Sequence, residues 1–387
     1  MVEYCDVLVV GGGIAGVSVA ANLAPDVSVA LIEREAQPGY HSTGRSAALF
    51  SEIYGNASIR ALSRGSRDFL FDPPRQFSDT PLVFPRGSLY MARSDQLASL
   101  HRMAALPDVA TGTRFVDAAE ALRLSPLLRE GYAAQALYEP EARDIEVNAL
   151  HQGYLRQLRA AGGRVLLQNG ILGLERSGGI WQARTGTDVI EAPIVINAAG
   201  AWAEHVGALA GAAPIGLTPC RRTAILVEGP DLPGLATSAM TIDIDEQFYF
   251  KPDAGLLLLS PADEEPMEAC DVQPDELDVA IAIDRVQQVT SLQVRRIRSK
   301  WAGLRSFVAD RSPVVGFDPD CTGLFWLAGQ GGYGIQTAPA MGRLAASLVK
   351  GQGIPADLLD RGLRQAEIAP QRLDRKPSPL LETGRGQ

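Results

Sequence analysis

Apolar positions along this chain follow two rhythms. Short unbroken runs at residues 7–10, 29–32, 194–196 and 324–328 predict strands covered on both faces of a parallel sheet. Between them, Leu150, Tyr154, Leu155 and Leu158 recur at helical spacing and place 148–161 on an amphipathic helix that Gly162 and Gly163 end. Further helices are predicted at 94–104, 117–124, 274–292 and 338–348. Strands are predicted at 87–93, 164–168, 171–175, 181–185, 222–227, 247–251 and 256–260, the last two joined by a turn at 252–255. His151 is expected on its helix surface or at a cap.

The first strand runs into Gly11, Gly12, Gly13, Ile14, Ala15 and Gly16, a helical stretch follows, and Glu33 closes the second strand 22 positions after Gly11. This is the strand–turn–helix–strand order of a dinucleotide site. Gly11 permits the tight turn, Gly13 admits a pyrophosphate, and Gly16 lets the helix pack on the strand. The helix N-terminus offers free N–H groups to phosphate, and Glu33 is placed to accept from a ribose hydroxyl. A second strand–glycine turn–helix unit spans Gly329 to Thr337.

A chain of 387 residues exceeds the usual single core. The segments 1–85, 146–217 and 309–371 are expected to form a cofactor domain, 86–145 and 218–308 a substrate domain, and 372–387 a flexible tail. The net charge of −9 speaks against a nucleic-acid or anionic-membrane partner. Cys5, Cys220, Cys270 and Cys321 lack metal-ligand spacing, as do His41, His101, His151 and His205, so no metal is expected. No run approaches the length of a membrane span and the start lacks a basic signal region, so a cytoplasmic protein is expected.

Four separated segments, 11–34, 42–48, 197–202 and 329–337, together resemble the D-amino-acid oxidase superfamily of flavoproteins. Within it the chain most resembles bacterial FAD-dependent D-arginine dehydrogenases, through residues 35–48, 149–156, 251–255, 301–310 and 330–337. The resemblance implies an α/β fold: a Rossmann-like, glutathione-reductase-type FAD-binding domain with an α+β substrate domain whose sheet is mostly antiparallel. It implies FAD held without a covalent bond, since 301–310 contains no cysteine. The cofactor contacts it carries over are Gly11, Gly13, Ile14, Ala15, Gly16, Glu33, Arg34, Ser42, Thr43, Arg45, Ser46, Ala47, Ile171, Ala199, Gly200, Trp202, Gly331, Gly332, Tyr333, Gly334, Ile335, Gln336 and Thr337. The helix N-terminus after Gly331 would favour negative charge on a reduced flavin.

The same resemblance implies oxidative deamination of a D-amino acid by hydride transfer to flavin N5, with an electron acceptor left open between oxygen and a quinone or dye. It assigns the substrate carboxylate to Arg222 and Arg305, pocket walls to Tyr54 and Tyr249, and an ammonium-accepting carbonyl to Gly332. Strand alternation turns one of Arg221 and Arg222 toward solvent. Leu49, Phe50, Ser88, Met240 and Gln336 fall at side-chain pocket positions. Ser88 stands where the arginine enzymes carry an acid, a loss of about 2–4 kcal/mol for a cationic side chain, so neutral or hydrophobic side chains are expected. A secondary amino acid, glycine or a 2-hydroxy acid would suit the same arginines, and a non-catalytic flavin-binding protein remains the alternative of another class. No Lys or His falls at a pocket position to act as a base.

Overall fold

The computed structural model describes residues 2–375. Its centre is a six-stranded sheet in the order Arg164–Leu166, Val29–Ile32, Val7–Val10, Ile194–Asn197, Leu324–Ala328, Val314–Phe317. All neighbours are parallel except the last pair. Val7–Val10, Val29–Ile32 and Leu324–Ala328 are buried at every position, as their unbroken apolar runs require. Helices Ile14–Leu23, Val147–Ala160 and Gly334–Val349 cover one face through a shared apolar core. A four-stranded sheet, Val2–Tyr4, Val189–Ala192, Ile180–Thr185 and Ile171–Ser177, and helix Ala203–Leu209 lie on the other side. Strand order reverses between Val7–Val10 and Ile194–Asn197, and the C-terminal ends there open the crevice where open α/β sheets hold ligands.

The second body is a nine-stranded sheet drawn from residues 88–139 and 218–307. Its pairs are antiparallel apart from Met240–Asp243 beside Ser88–Ala92. Helix Glu276–Val289 packs on it, and its N-cap Asp275 accepts from the Leu277 N–H. Two long strands, Thr218–Val227 and Ile297–Phe307, pair with Cys220 opposite Arg305 and Arg222 opposite Gly303. Arg222 and Arg305 therefore share one face as diagonal neighbours. Leu49–Phe50, Arg143–Ile145 and Val83–Pro85 form a small sheet where the chain crosses between the bodies.

Three expectations change. Arg221 does leave the Arg222 face, but it meets helix Glu276–Val289 instead of solvent and pairs with Asp278 at 2.8 Å. His151 is 3 % exposed, and its Nε2 lies 2.9 Å from the Gly12 carbonyl, so the helix carries it inward against the glycine turn. Residues 372–375 are tied down by Arg372 to Asp310 at 2.7 Å and by Arg375 to Asp318. The rest of the expected flexible tail, 376–387, lies outside the described residues. Among the described residues no helix is long and apolar enough to cross a membrane, and no group of His, Cys, Asp or Glu could hold a metal.

Candidate active site

The crevice begins at Gly11, whose φ of +109° suits only glycine and where a Cβ would lie 2.5 Å from the Ala198 carbonyl oxygen. At Gly16 a Cβ would lie 1.9 Å from the Gly11 oxygen, so the helix sits as close to the turn as its residues allow. Gly13 caps that helix without a side-chain partner, and Thr43 Oγ1 accepts from the Ile14 N–H at 3.0 Å. His151, neutral because burial lowers its pKa, braces the turn from behind. Glu33 accepts from the N–H of Gly12 at 2.7 Å and of Glu35 at 2.9 Å.

These groups open on a first cavity of about 420 Å³, lined by Gly11, Gly13, Glu33, Arg34, Ser42, Thr43, Ile171, Ala199, Gly200 and Trp202. The Arg34 guanidinium lies 3.8 Å over the Trp202 ring, and the His41 ring is centred 4.6 Å from it, tilted by 51°. Tyr40, His41, Asn169 and His205 also line it. Nothing local in the sequence marks them: Tyr40, His41 and Asn169 lie outside regular elements and His205 on the short helix Ala203–Leu209.

A second cavity shares Gly13, Ser42, Thr43 and Gly200 with the first and continues along Ile14, Ala15, Arg45, Ser46, Ala47, Gly331, Gly332, Gly334 and Ile335. Helix Gly334–Val349 starts here. Arg45 lines it, but its guanidinium is spent on the carbonyls of Val272 at 2.9 Å and Ala302 at 3.1 Å and on Asp271, strapping the two bodies together. Gly16, Tyr333 and Thr337 line none of the three cavities. Tyr333 packs against Tyr54 and Phe307, and the Thr337 hydroxyl bonds the Tyr333 carbonyl at 2.8 Å.

The third cavity adjoins the second through Arg222, Tyr249, Arg305 and Gly332. Leu49, Tyr54, Met240 and Gln336 line it, together with Tyr90, Ile242, Glu246 and Phe248, which the sequence does not single out. Arg222 is buried and largely committed: Nε donates to the Asp263 carbonyl at 2.7 Å and Nη2 to Glu264 at 2.9 Å. Arg311 holds Glu264 with two hydrogen bonds of 2.9 and 3.0 Å. Arg305 differs. Its Nη1 donates to the Tyr54 hydroxyl at 3.2 Å, no carboxylate among the described residues pairs with it, and its partial exposure is onto the cavities it lines. A Cβ on Gly332 would lie 2.6 Å from its Cζ, so bare backbone packs on the guanidinium.

Phe50 and Ser88 do not reach the cavity. Side chains alternate along Leu49–Phe50, so Leu49 faces the cavity and Phe50 packs in the core beside Phe71. Ser88 is fully buried and donates to Glu139 at 2.9 Å. The Glu139 carboxyl escaped notice because Gln135–Glu139 was not recognised as the strand paired with Ser88–Ala92.

A glycine turn that a Cβ would fill, a helix N-terminus whose N-cap Gly13 has no side chain, an acid beside it and a run of adjoining cavities fit a long dinucleotide. The family model described as FAD dependent oxidoreductase (DAO) matches residues 6–348. The chain belongs to this family. Glycine oxidase of Geobacillus kaustophilus (strain HTA426) is 25% identical over 370 residues, covering 92% of this chain and 96% of that protein. The crystal structure of that species' glycine oxidase superposes with a TM-score of 0.81 over 97% of this chain and all of the other, at 22% identity. "FAD-dependent oxidoreductase domain-containing protein 1" of Xenopus laevis is 30% identical over 179 residues, 41% of this chain and 35% of that protein. This oxidoreductase thus spans about a third of that relative and nearly all of the bacterial one. Its cofactor is FAD, and the cradle residues able to hold it are those around the first two cavities.

Proposed function

We propose that this oxidoreductase oxidises D-amino acids with neutral, mainly apolar side chains to 2-oxo acids and ammonia. The observation that carries the reading is Arg305, a guanidinium that no carboxylate among the described residues pairs with, placed where the second and third cavities meet. A cation so withdrawn calls for an anion. A substrate carboxylate supplies it, with Arg222 as the weaker arm because its guanidinium already donates to the Asp263 carbonyl and Glu264. Gly332 leaves backbone beside that anchor for the substrate amine. Leu49, Met240, Ile242 and Phe248 give the side chain apolar walls.

Bound FAD would supply the hydride acceptor. The protein's share is orientation: Arg305 and Tyr54 fix one end of the substrate, and the walls fix the other. Among the described residues no Lys or His lines the second or third cavity, so the ammonium proton leaves to water before oxidation. Glu246, exposed at the rim, adds only a solvent-screened charge. The D configuration is supported by the segments shared with D-arginine dehydrogenases, and the neutral side chain by the apolar lining that Leu49, Met240, Ile242 and Phe248 provide.

A second reading takes glycine or a secondary amino acid as substrate, favoured by the match to glycine oxidase. A panel assayed with an artificial acceptor separates the two. The first reading expects kcat/KM for D-leucine, D-methionine or D-phenylalanine well above that for glycine, sarcosine, D-arginine and 2-hydroxy acids. Glycine or sarcosine leading the panel establishes the second, and D-arginine leading it refutes the neutral-pocket argument.

A further inference from the structure

Behind Arg222 a single carboxylate is divided between two guanidiniums. Glu264 Oε1 accepts from Arg222 Nη2 at 2.9 Å and from Arg311 Nη2 at 2.9 Å, and its Oε2 accepts from Arg311 Nη1 at 3.0 Å. Arg311 thus grips both oxygens, whereas Arg222 has one bond to an oxygen that it shares. Burial would raise the Glu264 pKa, but the Arg311 hydrogen bond and the charges of Arg222, Arg311 and Arg305 hold it below the usual carboxylate range, so Glu264 is ionised. The positive charges of Arg222, Arg305 and Arg311 exceed its negative charge by two. Arg222 and Arg305 carry that surplus to the walls of the second and third cavities.

The backbone aims Arg311 at this task. Its φ of +59° lies in the left-handed region that side chains other than glycine rarely adopt. The turn is fixed on both sides, by the Arg311 N–H on the Val308 carbonyl at 2.9 Å and the Ser312 N–H on Asp310 Oδ1 at 3.0 Å. The guanidinium lies 3.9 Å over the Phe307 ring, and a Cβ on Gly331 would lie 2.1 Å from that ring, so Phe307 packs on the glycine turn that lines the second cavity. The other acids nearby have partners of their own or face solvent. Asp310 is bonded to Arg372 at 2.7 Å. Asp263 accepts from the Thr223 N–H at 2.7 Å and hydroxyl at 2.9 Å, beside the Arg221–Asp278 pair. Glu246 is exposed at the cavity rim.

We infer that Arg311 is a positioning residue for the carboxylate anchor: by gripping Glu264, it leaves on Arg222 a positive charge that a ligand's carboxylate can use. Without Arg311, Glu264 would belong to Arg222 alone and would repel the incoming anion. Glu264 in turn keeps the anchor from holding too tightly, which matters because the 2-oxo acid product carries the same carboxylate as the substrate and has to leave. The pair therefore sets carboxylate affinity from outside the cavity. The inference rests on the reading of Arg305 and Arg222 as the anchor.

The test uses FAD-loaded oxidised enzyme and reads the binding of pentanoate, an unreactive carboxylate, by the change in flavin absorbance at fixed ionic strength. Glu264→Gln should tighten binding about three- to fivefold, and Arg311→Met should weaken it by a similar factor, a modest range because Arg311 is half-exposed and screened. The double variant restores the wild-type charge and should bind as the wild type does. Arg311→Lys, which keeps the charge without the two-bond grip, should stay close to wild type. If both single variants weaken binding and the double variant is no better, the two side chains only hold Arg222 in shape and the inference is overturned. Four equal dissociation constants overturn it as well. Should Glu264→Gln fail to fold, salt dependence decides: added salt should weaken pentanoate binding more steeply in the wild type than in Arg311→Met, and equal slopes contradict the inference. If pentanoate leaves the flavin unperturbed, the anchor reading falls and this inference with it; binding with the wrong order of variants removes the inference alone.

Discussion

Around the glycine turn the walls of the crevice are largely backbone, whereas around Arg305 they are side chains brought together from distant strands and loops. In the cradle, Gly11 and Gly16 are demanded by atoms 1.9–2.5 Å from a would-be Cβ, so the chain has almost no freedom. In the pocket, Leu49, Tyr90, Arg222, Met240 and Arg305 are held by packing and hydrogen bonds that other residues could replace. A region built from backbone binds what the whole family binds. A region built from side chains can change its ligand without changing the fold.

The sharpest break of the cradle is Gly16→Ala. Its Cβ meets backbone and not a movable side chain, so the variant should lose about 3 kcal/mol or more of stability and purify without flavin, read as the flavin-to-protein absorbance ratio. On the pocket side, Arg305→Met should lower kcat/KM by about 2–5 kcal/mol, roughly 30-fold to several thousandfold, and leave bound flavin unchanged. Arg222→Met should cost only about tenfold, because the Asp263 carbonyl and Glu264 already hold that side chain. Equal losses at the two arginines would erase the distinction between a free and a committed guanidinium.

Glu139 offers a stability effect with a defined sign. Burial raises its folded-state pKa from 4.5 to about 7, so the fold prefers the protonated form. That preference is fully present below about pH 4.5 and lost as pH rises through about 7. Relative to Glu139→Gln, the wild type should therefore lose about 3 kcal/mol of stability across that window, measured as the pH dependence of the difference in urea midpoint. A constant difference contradicts it. Smallest of all, Arg34→Ala removes the cation from the Trp202 ring and should weaken FAD binding about two- to fivefold, seen by titrating the apoprotein.

The two regions also differ in how far the sequence revealed them. The Gly11–Glu33 unit was legible because steric demand leaves a local trace: glycine at fixed spacing between apolar runs. The core strands were legible for the same reason. The strand Ile297–Phe307 was not, because Trp301, Gly303 and Arg305 fall on its one face, and site residues there break the polar–apolar alternation that marks a strand. Ser88 read as an uncharged pocket wall, since nothing local shows that Glu139, on a strand 51 residues away, takes its hydroxyl. Phe50 was placed in the pocket with Leu49 because a two-residue strand is too short for its alternation to be recognised. His151 looked like a surface residue, since only the tertiary fold brings helix Val147–Ala160 against the Gly12 carbonyl.

Anaerobic mixing of the FAD-loaded enzyme with D- and L-leucine, followed by the flavin absorbance, tests the central claim most directly when wild type and Arg305→Met are run side by side. The account predicts that D-leucine bleaches wild-type flavin, that L-leucine does not, and that Arg305→Met keeps its flavin yet needs at least tenfold more D-leucine to reach the same rate. Bleaching by the L enantiomer, or an Arg305→Met enzyme reduced at the wild-type concentration of D-leucine, would contradict it.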